Sequence, residues 1–88
     1  MSASVTGVTV RIYTKPRCSL CAQAQRVLEE IRTRVDFVLE VVDVRDDADT
    51  WERYRHAVPV VTVDGVEVAR LRVDPAMLES RLRGTSVA

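Results

Sequence analysis

The chain has 88 residues, 47% of them hydrophobic and 30% charged, which suits one soluble domain with a single modest core and excludes a disordered chain. Thirteen basic residues balance thirteen acidic ones, so the overall charge points to neither nucleic acid nor an anionic membrane as a partner. No apolar run approaches the roughly 18 residues needed to cross a bilayer, and Met1-Ser2-Ala3-Ser4 lacks the basic and apolar regions of a secretory signal, so the expected location is cytoplasmic.

A single domain over residues 1–88 is expected, with flexible tails at 1–7 and 85–88. Val8, Val10 and Ile12 alternate with Thr9, Arg11 and Tyr13, a period-two strand. Pro16 stops that ladder because it has no N–H to donate. From Ser19 the period changes: Leu20, Ala24, Val27, Leu28 and Ile31 share one helical face, and the helix ends near Thr33. Phe37 to Val42 is almost continuously apolar, the pattern of a strand with both faces largely covered. Asp46, Asp47 and Asp49 offer an N-cap and an acidic first turn for a short helix to about Tyr54. Trp51 and Tyr54 are read as packing that helix onto the sheet.

Val60–Val63 and Val66–Ala69 flank Asp64-Gly65, a strong signal for a hairpin with a type I′ turn. Asp74 caps a last helix with Pro75 in its first turn and Met77, Leu78 and Leu82 as apolar positions; Gly84 is the expected stop. The order β-α-β-α-β-β-α predicts an α/β fold, a thioredoxin-like three-layer α/β/α sandwich on a four-stranded mixed sheet.

Chemistry concentrates in Thr14-Lys15-Pro16-Arg17-Cys18-Ser19-Leu20-Cys21, at the first strand-to-helix junction. Two intervening residues place the sulfurs about one helical turn apart, within reach of a disulfide. Free N–H groups and the dipole at a helix start favour a thiolate, and Lys15 and Arg17 add positive charge. Cys18, just before the helix, is expected to be the more exposed thiol, with Cys21 nearer the core. In a reducing compartment such a pair is catalytic or metal-binding more often than a structural staple, and closing so short a loop would stabilise little.

These residues resemble those of the glutaredoxins, above all the short bacterial glutaredoxin-like proteins. The CxxC segment, Val58-Pro59 before the third strand, and the Asp64-Gly65 hairpin with its following helix carry the resemblance over nearly the whole chain. It implies a cis bond at Val58-Pro59, a proline facing the cysteines, and a substrate-binding role for Tyr13, Val58, Pro59 and Asp74. Two departures stand out. Ser19-Leu20 replaces the Pro-Tyr of glutaredoxins and the Gly-Pro of thioredoxins. The Gly-Gly pair before the last helix is replaced by Ala69-Arg70-Leu71-Arg72-Val73-Asp74, so weak glutathione dependence is expected.

The function this reading favours is thiol–disulfide oxidoreduction, with Cys18 as nucleophile, Cys21 as resolving thiol, and Lys15 and Arg17 stabilising the thiolate. No tightly bound cofactor and no metal are expected, with glutathione or another small thiol a candidate reductant. The expected partners are a disulfide-containing protein or small mixed disulfide and a reducing thiol or flavoprotein reductase, the chain acting as a monomer. Two alternatives stand beside this. One is a metal or iron–sulfur carrier completed by a dimer or an added thiol, since two cysteines supply half of a four-thiolate site. The other is a redox-silent thioredoxin-fold binding module.

Overall fold

The alternation of Val8, Val10 and Ile12 with polar neighbours produces the strand on which the sheet is centred. In the computed structural model, which describes residues 8–86, this is β1 (Thr9–Thr14). It is followed by α1 (Ser19–Arg32), β2 (Val38–Asp43), α2 (Ala48–Tyr54), β3 (Val60–Val63), β4 (Val66–Arg70) and α3 (Pro75–Ser86). The four strands form one mixed sheet in the order β2-β1-β3-β4. β1 runs parallel to β2, with Thr9 opposite Val38 and Thr14 opposite Asp43, and antiparallel to β3, with Val10 opposite Val63.

The apolar stripe of α1 folds as its spacing requires. Ala24, Leu28 and Ile31 are buried against Val10, Ile12, Val61 and Val63, together with Leu78 and Leu82 from α3. Both long helices therefore cover one face of the sheet. On the other face α2 covers only the end of β1, where Tyr54 lies over Tyr13 with ring centroids 4.7 Å apart. Trp51 and Tyr54 join Tyr13, Val44 and Val58 in a second, smaller cluster that also holds both cysteines.

That short helix explains one correction. β2 is not covered on both faces: it is an edge strand, with Val38 and Val41 51% and 49% exposed. On the Tyr13 side a seven-residue helix has too little surface to shield Val38, and there the exposed Arg11 and Glu40 form an ion pair instead; Val41, opposite Ile12 on the other face, is exposed because β2 is the edge strand. Met77, expected among the apolar positions of α3, is also exposed. It sits in the first turn, where the Asp74 carboxylate accepts hydrogen bonds from the Ala76 and Met77 N–H groups.

Turn chemistry follows the residues. Asp64 and Gly65 both have positive φ, 48° and 86°, as a type I′ turn requires. β4 carries a bulge: Ala69 faces Val61 while Glu67 faces Thr62, leaving Val68 as the extra residue. Before α2 the chain makes a single 3₁₀ turn, Val44–Asp46, with Val44 fully buried beneath it. The Asp47 carboxylate then caps α2 through the Thr50 N–H. α3 continues through Gly84 to Ser86, so Gly84 is not a stop. A glycine ends a helix by taking a left-handed conformation, and Gly84 is absent from the residues with positive φ. The rest of the expected tails, residues 1–7 and 87–88, lies outside the described residues.

A contact between distant segments locks α3 to the end of α1. The Arg34 guanidinium donates from Nε and Nη2 to the two Glu79 carboxylate oxygens, at 3.2 and 2.8 Å, and Arg83 donates to the same carboxylate. Arg34 first and Arg83 second hold the Glu79 carboxyl down at about 2, from an ordinary 4.5. A carboxylate whose pKa is lowered on folding stabilises the native state above its unfolded value, and that contribution is lost as pH falls toward the folded value. Asp43 and Glu67, lowered by Arg45 and Arg70, act in the same direction. The wild type should therefore lose stability steeply on acidification from about pH 4.5 to about pH 2. Glu79→Gln should be less stable at neutral pH and flatter across that window, as read from denaturant midpoints at successive pH values. Parallel pH profiles for the two proteins would show that the Arg34–Glu79–Arg83 contact contributes nothing.

Candidate redox site

Three consecutive residues turn the end of β1 into the start of α1. Pro16 closes the strand, Arg17 takes a left-handed conformation (φ 61°), and Cys18 is extended (φ −111°, ψ 103°). A non-glycine residue at positive φ is uncommon, and here it swings the chain so that Cys18 becomes the N-cap of α1. The Cys18 Sγ accepts a hydrogen bond from the Cys21 N–H at 3.1 Å, and the Cys18 carbonyl accepts from Ala22 N–H. Sulfur thus occupies the place that a serine or aspartate oxygen takes in an ordinary cap.

Cys18 and Cys21 form a disulfide with Cα atoms 5.2 Å apart, inside the range a disulfide tolerates. Their surroundings differ. Cys21 is 3% exposed, facing Val44 and Val58, whereas Cys18 is half-buried and lines an open depression of about 340 Å³. An incoming group reaches the first sulfur more easily than the second.

The structure gathers Lys15, Arg17 and Val58 around that depression with Cys18. The Lys15 Nζ donates to the Arg55 carbonyl at 2.9 Å, which fixes the ammonium at the rim without neutralising it. Arg17 is exposed. The other expected binding residues are placed differently. Tyr13 packs against Tyr54 in the cluster that holds both cysteines. Pro59 follows a cis peptide bond, is fully buried, and its carbonyl accepts the Leu71 N–H at 2.8 Å. Asp74 spends its carboxylate on capping α3. Arg55 and His56, which also line the depression, are functional candidates that the sequence reading did not place at the site. No spacing rule connects residues 55 and 56 to residue 18, although the hydrogen-bonding Lys15 does so in space.

Beside the depression a longer groove of about 510 Å³ runs between α1 and residues 71–75. Leu20 lines both, so the two adjoin at that side chain. The groove's second wall begins with a three-residue turn: the Arg72 N–H donates to the Arg70 carbonyl at 2.7 Å, with Leu71 between them at φ 68°. Turns closed this tightly around a residue with positive φ are rare and strained. The Leu71 N–H itself donates to the carbonyls of Ala57 and Pro59, so backbone bonds to the segment before β3 hold the turn in place. Among the described residues no group of three or more histidine, cysteine or acidic side chains converges as a metal site.

Element order, sheet topology and the disulfide at the strand-to-helix junction define a thioredoxin-fold protein with a CxxC pair suited to redox chemistry. A family described as "Glutaredoxin-like domain (DUF836)" matches residues 9–83, and the chain belongs to that family. Among solved structures it is similar to protein Ne2328 from Nitrosomonas europaea, with TM-score 0.76 and 21% identity over 93% of this chain and 99% of that one. It is similar also to protein XcR50 from X. campestris, with TM-score 0.70 and 28% identity over 85% and 96% of the two chains. A mutant thioredoxin from Halobacterium salinarum superposes with TM-score 0.71 at 19% identity, covering 92% of this chain and 76% of the thioredoxin.

The left-handed turn makes an unusual demand on residue 71. Leu71 is 46% exposed, so its side chain contributes limited burial, whereas positive φ disfavours any residue with a Cβ and a β-branched one most. Leu71→Ile, which conserves volume and apolarity, should therefore destabilise by about 1–2 kcal/mol. Leu71→Gly should stay within about 1 kcal/mol of wild type, because relief of the backbone offsets glycine's larger unfolded-state entropy. Chemical denaturation of the three proteins checks the order. An isoleucine variant as stable as wild type would mean that the turn relaxes freely.

Proposed function

We propose that this protein is a dithiol–disulfide oxidoreductase in which Cys18 is the nucleophile and Cys21 the resolving thiol. The observation that carries this reading is the cap itself: the accessible sulfur of the pair accepts a backbone N–H at the start of a helix. With the disulfide reduced, the same N–H and the helix dipole would stabilise a thiolate on Cys18, with Lys15 and Arg17 adding charge. Each unit by which the thiol pKa falls corresponds to about 1.4 kcal/mol of thiolate stabilisation.

The reaction then runs in two exchanges. Cys18 thiolate attacks one sulfur of a substrate disulfide, forming a Cys18 mixed disulfide and expelling the other substrate sulfur as a thiolate, which takes a proton from water. Cys21, deprotonated, attacks the Cys18 sulfur and expels the second substrate sulfur. Two electrons have passed to the substrate, leaving the Cys18–Cys21 disulfide. An external dithiol, or a flavoprotein reductase acting as one, returns two electrons and restores the pair. The reading assigns no tightly bound cofactor and a monomeric cytoplasmic protein acting on a protein disulfide or a small mixed disulfide. Glutathione is a poor fit as reductant, because Leu71 and Arg72 stand where close approach of a peptide backbone favours glycine.

Alkylation rates against pH on Cys21→Ser and Cys18→Ser test the chemistry. In Cys21→Ser, Cys18 should titrate one or two units below the ordinary thiol value of about 8.5 and alkylate faster than Cys21 does in the reciprocal variant. Mixed with a disulfide substrate, Cys21→Ser should accumulate the Cys18 mixed disulfide, visible by mass, and Cys18→Ser should be inactive. Turnover with glutathione should be at least roughly tenfold slower than with a dithiol reductant. A Cys18 that titrates at 8.5 or above, to within experimental error, removes the activated nucleophile.

A further inference from the structure

The chain has no net charge, yet its cations are not evenly neutralised. Away from the cysteines most are paired: Arg11 with Glu40, Arg32 with Glu29, Arg34 with Glu30 and Glu79, Arg45 with Asp43, Arg70 with Glu67 and Arg83 with Glu79, while Arg53 lies over the Tyr54 ring. Arg17, Arg26 and Arg72 make no ion pair among the described residues. Among the same residues Lys15 reaches only a carbonyl, and Arg55 lies over the Trp51 ring. All five line the Cys18 depression or the groove that adjoins it at Leu20. Of acidic residues the two linings hold one, Glu30, which is itself engaged by Arg34.

Charge is only half of this surface. Between Arg26 on α1 and Arg72 on the opposite wall, the groove carries apolar Leu20, Ala24, Val27 and Val73. From Leu20 to Glu30 it follows ten helical steps of α1, roughly 15 Å at the helical rise. That length accepts about four or five residues of extended chain. The lining contains no aromatic ring on which a base could stack, so the surface suits a polypeptide better than a nucleic acid.

Resting on the oxidoreductase reading, we propose that the oxidised partner is a protein whose disulfide-bonded cysteine lies in an extended acidic segment. Its sulfur meets Cys18, neighbouring carboxylates face Lys15, Arg17, Arg55, Arg26 and Arg72, and an apolar side chain enters the groove against Val27 and Val73. Five unneutralised cations exceed what a tripeptide thiol with two carboxylates and an ammonium can engage, which favours a macromolecular partner. Long-range attraction of this kind raises association rates and selects partners more than it adds final affinity.

The test uses the full chain, reduced beforehand and freed of reductant, in single turnovers followed by the fluorescence of Trp51, which packs in the cluster that holds both cysteines. Three probes are compared: 2-hydroxyethyl disulfide, and two short peptides with a central cysteine in mixed disulfide with mercaptoethanol, flanked by glutamates in one and glutamines in the other. At low ionic strength the glutamate peptide should react about tenfold faster than the glutamine peptide, and the gap should close as salt approaches about 1 M. Arg26→Glu with Arg72→Glu should abolish or reverse that ratio, whereas Arg32→Glu, toward the far end of α1, should preserve it. Equal rates for the two peptides at low salt overturn the proposal while leaving the redox reading intact if 2-hydroxyethyl disulfide is reduced. Failure of all three disulfides to oxidise the chain removes the redox reading and this proposal together. Stronger competition by a short oligonucleotide than by an acidic peptide lacking cysteine would also overturn it. The wild-type comparison decides the matter even if a charge-reversed variant fails to fold.

Discussion

A single hydrogen bond, from the Cys21 N–H to the Cys18 sulfur, is where the architecture meets the chemistry. It exists only if Cys18 is held just outside the helix and Cys21 just inside it. Pro16 and the left-handed Arg17 set the first condition, and the packing of α1 sets the second. Ala24, Leu28 and Ile31 lock the rotation and register of the helix against β1 and β3. A helix that slid or turned on the sheet would lose its cap and expose the second sulfur. The core thus serves the site through geometry, because close-packed interiors transmit small displacements instead of absorbing them.

The other wall of the site is secured by different means. No apolar side chain anchors the β4-to-α3 connection at its tip: Leu71 is half-exposed and Arg72 exposed. The backbone anchors it, through the Leu71 N–H shared between the Ala57 and Pro59 carbonyls and the tight turn at Arg70–Arg72. A loop held by its main chain leaves its side chains free to face a partner. It also explains how leucine occupies a position with positive φ, since three backbone hydrogen bonds outweigh a local cost of about 1–2 kcal/mol.

What could be read from the sequence was local. Period-two and helical spacing, the Asp-Gly turn, and the Asp47 and Asp74 caps each involve residues within a few positions of one another, and all recur in the structure. The failures were of tertiary origin. Phe37 to Val42 reads as a strand buried on both sides, but whether a strand is covered depends on the length of a helix that comes later in the chain. Gly84 has the composition of a helix stop, but a glycine stops a helix only where the chain must turn, and here it continues. The Arg34–Glu79 contact joins residues 45 apart, and nothing in either local pattern announces it. At the site the cysteines were legible as a pair at a helix start, because four consecutive residues carry them. Arg55 and His56 were not, since only the fold brings them to the depression beside Cys18.

The same distinction governs charge. A balance of thirteen against thirteen excludes a surface that is basic throughout, yet it is silent about where pairs form. The 12 arginines are interchangeable in composition and unlike one another in space. Arg70 and Arg72 are the clearest case: two residues apart on one segment, the first is bound to Glu67 while the second lines the groove without an acidic partner among the described residues. Pairing removes most of a charge's reach, because the field of a close ion pair falls off faster than that of an isolated ion and salt screens what remains. The local electrostatic character of the Cys18 surface is therefore set by the cations that folding gathers there without ion pairs among the described residues. In the proposed reaction those that line the sulfur's surroundings act on a partner before its disulfide arrives, while the ion-paired arginines contribute mainly to holding the elements together.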